Sequence, residues 1–150
     1  MRRQSRKYIV KYTRVDTRLY PLLRFGVSYS RRTVTVTAYV DTGAAHSIFV
    51  PAVAQQLDLD YRSGRLTYVR VGNGGMMPVY LHRLTVHIGH FSLQATVGFS
   101  DRLGVGFNLL GRQDIFEHLA FTFNDKYGFL IIADADDLPA ELASKLSPGG

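Results

Sequence analysis

Apolar residues recurring at every second position through most of residues 33–132 predict an all-β domain with one or two short helices. Val34, Val36, Ala38 and Val40 share one face of a strand, and so do Leu84, Val86 and Ile88. Phe91, Leu93, Ala95, Val97 and Phe99 repeat the pattern, and glycine-rich or Asn/Asp-rich stretches punctuate the runs. With 46% hydrophobic residues, a chain of 150 residues can bury one core, so one domain with short tails is expected.

Before the first of these runs the chain is strongly basic. Arg2, Arg3, Arg6, Lys7, Lys11, Arg14, Arg18, Arg24, Arg31 and Arg32 face only Asp16, which puts +9 there and leaves −3 of the total of +6 on the remainder. Residues 1–30 therefore read as a basic N-terminal arm and lead-in strand. An arm of this kind could touch nucleic acid, but it lacks the regular aromatic interleaving of a stacking platform, and a solvated, partly ordered leader is the plainer reading.

The domain itself is expected over residues 31–132. Residues 33–40 form a strand that ends at Asp41, and Pro51 suits the first turn of a helix over 51–59. Residues 65–71 read as a strand running into Gly72-Asn73-Gly74-Gly75, and 78–89 and 91–99 as hairpin partners joined at Gly89-His90. Ile115, Phe116 and Leu119 make the apolar stripe of a helix over 112–119. Residues 120–132 read as two short strands around Asn124-Asp125-Lys126-Tyr127-Gly128. Residues 133–150 form a tail with one or two helical turns after Asp137 and a flexible Pro148-Gly149-Gly150 end.

Several function classes fall away at this level. The absence of cysteine removes disulfides, thiolate metal sites and a cysteine nucleophile. No apolar run reaches the eighteen residues of a membrane span, and the N-terminus has no apolar signal core, so no membrane contact and a cytoplasmic location are expected. His82, His87 and His90 lack a cysteine or paired acid to complete a metal site, so no metal is expected and they read as surface or turn histidines. The stretch "VGNGGMMP" has no Lys-Ser/Thr to reach a phosphate, and no Gly-x-Ser-x-Gly elbow supports a serine triad.

The chemistry concentrates in "YVDTGAAHSIFVP", where an acid closes an otherwise apolar strand and is followed by a hydroxyl residue and glycine. A carboxylate so placed can be held rigidly, hydrogen-bonded and approached closely by another backbone. Together with "VRVGNGGMMPVYLHRLTVHIG" and "FNLLGRQDIFEHL", in that order along the chain, the stretch resembles three segments of the retropepsin-like aspartic proteases.

That resemblance implies an acid-protease barrel with a flap hairpin, homodimeric and without cofactor. It implies hydrolysis of a peptide bond by water held between two aspartates, one ionised and one protonated. The chain has one Asp-Thr-Gly, so each copy would supply Asp41 across a two-fold axis. By the same resemblance Thr42 bonds across that axis, Gly43 admits substrate backbone, and Ser47 closes the loop beneath. Ala44, Ala45 and His46 line the cleft, with His46 the residue that most affects specificity. Gly72, Asn73, Gly74, Gly75 and Met76 form the flap tip over a peptide or protein substrate. Leu110, Gly111 and Arg112 make the structural second signature. Retroviral members carry an acid at the place of Ala45 that pairs with the arginine matching Arg112. Here Arg112 is left to Asp114 or to the opposite chain. The rival reading is a noncatalytic domain of the same fold that dimerises or binds peptides.

Overall fold

A computed structural model describes residues 6–104 and 106–146. Arg2 and Arg3 and the Pro148-Gly149-Gly150 end lie outside the described residues. In chain order the strands are β1 (Tyr8–Lys11), β2 (Thr13–Val15), β3 (Arg18–Tyr20), β4 (Leu22–Tyr29), β5 (Arg32–Val40) and β6 (Ser47–Phe49). Helix α1 (Pro51–Gln56) and a 3₁₀ turn (Tyr61–Ser63) follow. Then come β7 (Arg65–Arg70), β8 (Met76–Ile88), β9 (Phe91–Phe99), β10 (Asn108–Leu110), β11 (Leu119–Asn124), β12 (Phe129–Asp134) and α2 (Ala140–Ala143).

Seven strands form one sheet in the order β4-β5-β10-β6-β9-β8-β7, and β4 also pairs with β8. That extra pairing, Gly26 to His87 through Ser28 to Thr85, closes six strands into a barrel and leaves β7 at its rim. Closure leaves the inward residues of each strand facing one another, and the alternating apolar side chains fill the interior. Phe25 and Val27 from β4, Val36 and Ala38 from β5, Leu84 and Val86 from β8, and Ala95, Val97 and Phe99 from β9 are all buried there. Phe49 packs against both Phe25 and Phe99, with ring centroids 6.1 and 6.0 Å apart.

Residues 8–29 hold four strands within the stretch expected as arm and lead-in. β4 is integral to the barrel: Leu23, Phe25 and Val27 point inward while Arg24 points out. β1 joins β12 and β11 in a separate three-stranded sheet, and Tyr12 donates its backbone N–H to Gly128 O at 2.8 Å. The Tyr12 hydroxyl donates to Asp125 Oδ1 at 2.8 Å; burial first, and then this bond, push the phenol up to about 12.

Two expected helices differ from those observed. Residues 112–118 are a bend and turns leading into β11, which begins at Leu119, although Ile115 and Leu119 are buried as their spacing requires. Asp114 sits at φ 64, a left-handed conformation that ends helical propagation, and its carboxylate is taken by Thr96 N–H at 2.8 Å and Arg83 Nη1 at 3.4 Å. Helix α1 stops at Gln56 rather than at residue 59, because Asp58 is left-handed at φ 53 while Leu57 and Leu59 turn into the core.

Candidate active site

β10 lies between β5 and β6, parallel to the first and antiparallel to the second. The chain leaving β5 therefore cannot enter β6 directly and must loop over the end of β10. Residues 41–46 are that loop. Its position is secured by backbone bonds to the end of β10 and the segment after it: Asp41 N–H to Leu110 O at 3.0 Å, Arg112 N–H to Ala44 O at 2.9 Å and Gln113 N–H to Ala45 O at 2.9 Å. Leu110, fully buried, anchors β10 beneath. Asn108 adds a clamp, accepting from Val50 N–H at 2.9 Å and donating to Thr37 O at 3.0 Å.

Ser47 and Gly111 make the innermost contact. The Gly111 N–H donates to the buried Ser47 Oγ at 3.0 Å. A Cβ on Gly111 would collide with His46 O and lie 2.8 Å from Ala44 O, so only glycine allows this approach. Ser47→Ala would leave that buried N–H without a partner. It is expected to lower stability by about 1–3 kcal/mol, measured by urea unfolding; an unchanged midpoint would show that the bond holds nothing.

Asp41 is half-buried, and its Oδ1 accepts from Gly43 N–H at 2.9 Å. Thr42 and Gly43 are exposed beside it. The Arg112 guanidinium reaches Thr42 O at 3.5 Å and covers the Phe116 ring at 5.3 Å, whereas Asp114 is engaged by Arg83. Of the two partners expected for Arg112, Asp114 is thus not the one within the chain: its left-handed backbone turns the carboxylate toward β9.

Opposite the loop, β7 and β8 form a hairpin from Arg65↔Leu81 to Arg70↔Met76. Its tip closes with Val71 N–H to Gly75 O and Gly74 N–H to Val71 O, each 2.9 Å, while Asn73 Oδ1 accepts from Gly75 N–H. Gly74, at φ 84, takes the left-handed position of the turn. Ile48, Met77 and Val79 form a small apolar cluster under the hairpin, separate from the barrel core, against Val69, Val71, Leu81 and Leu103.

Between loop and hairpin lies a cavity of about 600 Å³, lined by Asp41, Gly43, Ala44, Ala45, His46 and Gly72 among others. Asn73, Gly74, Gly75 and Met76 do not line it. Strand alternation explains the last: Met77 is buried toward the cavity and Met76 is 55% exposed on the other face. Sequence reasoning missed Arg70 and Leu103 in this lining, which also holds Leu109 of the second signature. Leu103 comes from a loop that no pattern marks.

Asp41 and Thr42 also border a second cavity of about 450 Å³ with Tyr20, Tyr39 and Asp125. Tyr20, Tyr39 and Phe107 pack together there at 5.5–6.3 Å between centroids. The histidines disperse: His82 meets Tyr61 O, His87 lies between Ser28 and Ser92, and His90 stacks on Phe91. Among the described residues no three His, Cys, Asp or Glu gather as a metal site, and no helix is long and apolar enough to cross a membrane.

One half-buried carboxylate on a rigid loop, facing a roofed cleft, can take or give a proton, but it cannot do both in one step. Comparison with known proteins bears on what completes it. The sequence profile of a family described as aspartyl protease matches residues 28–113. A retropepsin-like aspartic protease from Rickettsia conorii is similar in structure, with a TM-score of 0.61 and 21% identity over 83% of this chain and 97% of that one. The retroviral protease-like domain of Ddi1 from Leishmania major is similar with a TM-score of 0.50 and 18% identity, over 78% of this chain and 98% of that one. At these identities the likeness is one of fold. No curated protein matches the sequence.

Proposed function

The chain belongs to the aspartyl protease family and has a retropepsin-like fold, and on that premise we propose that it is an endopeptidase active as a homodimer. The observation that carries the reading is the site of Asp41: half-buried, bonded to Gly43, on a loop clamped by Leu110 and Arg112, and open to a cleft under a glycine-tipped hairpin. Two copies bring two Asp41 carboxyl groups together with one proton between them. The ionised member takes a proton from water as its oxygen bonds to the scissile carbonyl carbon, while the protonated member polarises that carbonyl. The C–N bond then breaks as a proton passes to the leaving amine, giving a carboxylic acid and an amine. Exposed Thr42 bonds across the axis, Gly43 admits the substrate backbone, and the hairpin around Gly72–Gly75 acts as a lid.

This reading has a direct test in dilution. Below the dimer dissociation constant, each tenfold dilution should lower the cleavage rate by roughly a hundredfold, because dimer concentration follows the square of monomer. Sedimentation over the same range should show dimer giving way to monomer. A rate strictly proportional to concentration in a demonstrated monomer would overturn the shared site. A stable dimer that cleaves no peptide would leave a peptide-binding domain in its place.

A further inference from the structure

Arg112 has no acid of its own. Its guanidinium is exposed, reaches Thr42 O at 3.5 Å, covers the Phe116 ring and makes no ion pair among the described residues. Asp114, the nearest acid along the sequence, is held by Arg83 Nη1 and Thr96 N–H instead.

The 450 Å³ cavity on the other side of the loop has the opposite need. Asp41 and Asp125 line it with no lysine, arginine or histidine, and Tyr12, Tyr20, Tyr39 and Phe123 supply aromatic rings. Such a lining suits a guanidinium, which pairs with carboxylates and stacks on ring faces. The two acids are not equivalent. Asp41 belongs to the chemistry proposed above, whereas Asp125 Oδ1 accepts from the Tyr12 hydroxyl at 2.8 Å and its Oδ2 has no partner among the described residues.

Symmetry brings the two needs together. If two Asp41 carboxyl groups share a proton, the two-fold axis passes beside Asp41, and a cavity lined by Asp41 and Thr42 opens at that axis. Arg112 is tied to Thr42, so the rotation sets the partner's Arg112 equally close to the axis, on the other copy's side. We infer that in the dimer the partner's Arg112 enters this cavity, pairs with Asp125 and lies against the tyrosine rings, and that the reciprocal contact forms across the axis. The inference rests on the homodimer reading, and it adds the contact that holds the copies in register. Burial between the copies excludes water from a pair that would be weak on a free surface.

The test is a charge exchange between copies, followed by sedimentation and by peptide cleavage. Arg112→Glu and Asp125→Lys, each alone, put like charges together at both contacts of a dimer, and each should raise the dimer dissociation constant by about a hundredfold. An equimolar mixture of the two variants restores both pairs in the mixed dimer, Glu with Lys and Arg with Asp. Association and cleavage should therefore return close to wild type on mixing, which no contact within one chain can produce. A chain carrying both changes should also dimerise near wild type, and it shows that neither change damages the fold. Dimers unaffected by either single change, or a mixture no tighter than its components while wild type dimerises, overturn the inference and leave the homodimer reading intact. Wild type that stays monomeric at every concentration removes both.

Discussion

Asp41→Asn is expected to abolish peptide cleavage and leave the fold as it is. Asparagine keeps the size of the side chain and an Oδ1 that can still accept from Gly43 N–H, now bonded at 2.9 Å. What it lacks is the capacity to take a proton from water or to hold one beside a second carboxyl group. Loss of a general base costs roughly a hundredfold to ten-thousandfold in rate, and in a symmetric pair both members change at once, so the larger figure is the one expected. Thermal unfolding should show no loss of stability, since a charge facing its own copy is removed. The measurement is cleavage of a mixed peptide library by wild type and variant from about pH 3 to about pH 8, which spans carboxyl ionisation, with melting curves beside it. A variant that cleaves as well as wild type would remove Asp41 from the chemistry.

Gly111→Ala should disable the site without touching any group that could react. The added methyl has to share space with His46 O and Ala44 O, the latter at 2.8 Å. These are backbone atoms of a loop bonded at Arg112 and Gln113, and they cannot rotate aside as a side chain would. Overpacking of this kind costs about 1–3 kcal/mol, occasionally more, and here the cost is relieved only by moving the Asp41 loop away from β10. A displacement near 1 Å at a positioned carboxylate can cost about a hundredfold in rate. The expected result is a folded protein of lower melting temperature with cleavage reduced by about that factor. Wild-type activity in Gly111→Ala would mean that the loop is not held by this contact.

Much of the barrel was legible because burial on one face of a strand leaves a period of two in the sequence. The β8–β9 hairpin is the clearest case: its two-residue turn at Gly89-His90 and its register, Ile88 with Phe91, follow from the alternation alone. The same rule was present in β4, where Leu23, Phe25 and Val27 alternate with Arg24, but the dense arginines around it read as a solvated arm. Residues 112–119 misled in the opposite sense. Ile115, Phe116 and Leu119 have helical spacing and do face the core, yet a series of turns presents the same side chains once Asp114 is left-handed. Spacing reports which side chains are buried, and more than one backbone path can bury them.

The candidate site divides along the same line. By itself the sequence determined the acid, the hydroxyl and the glycines that follow a core strand, the glycine-tipped hairpin, and the Leu110-Gly111-Arg112 segment, because each is local and each residue type has few conformational uses. The tertiary structure alone decided that β10 passes between β5 and β6, that Gly111 must therefore meet the carbonyls of Ala44 and His46, that Asp114 pairs with Arg83 rather than Arg112, and that Met77 rather than Met76 faces the cavity. Those are contacts between residues tens of positions apart, and no local pattern encodes them; they exist only once burial of the shared core has set the strand order.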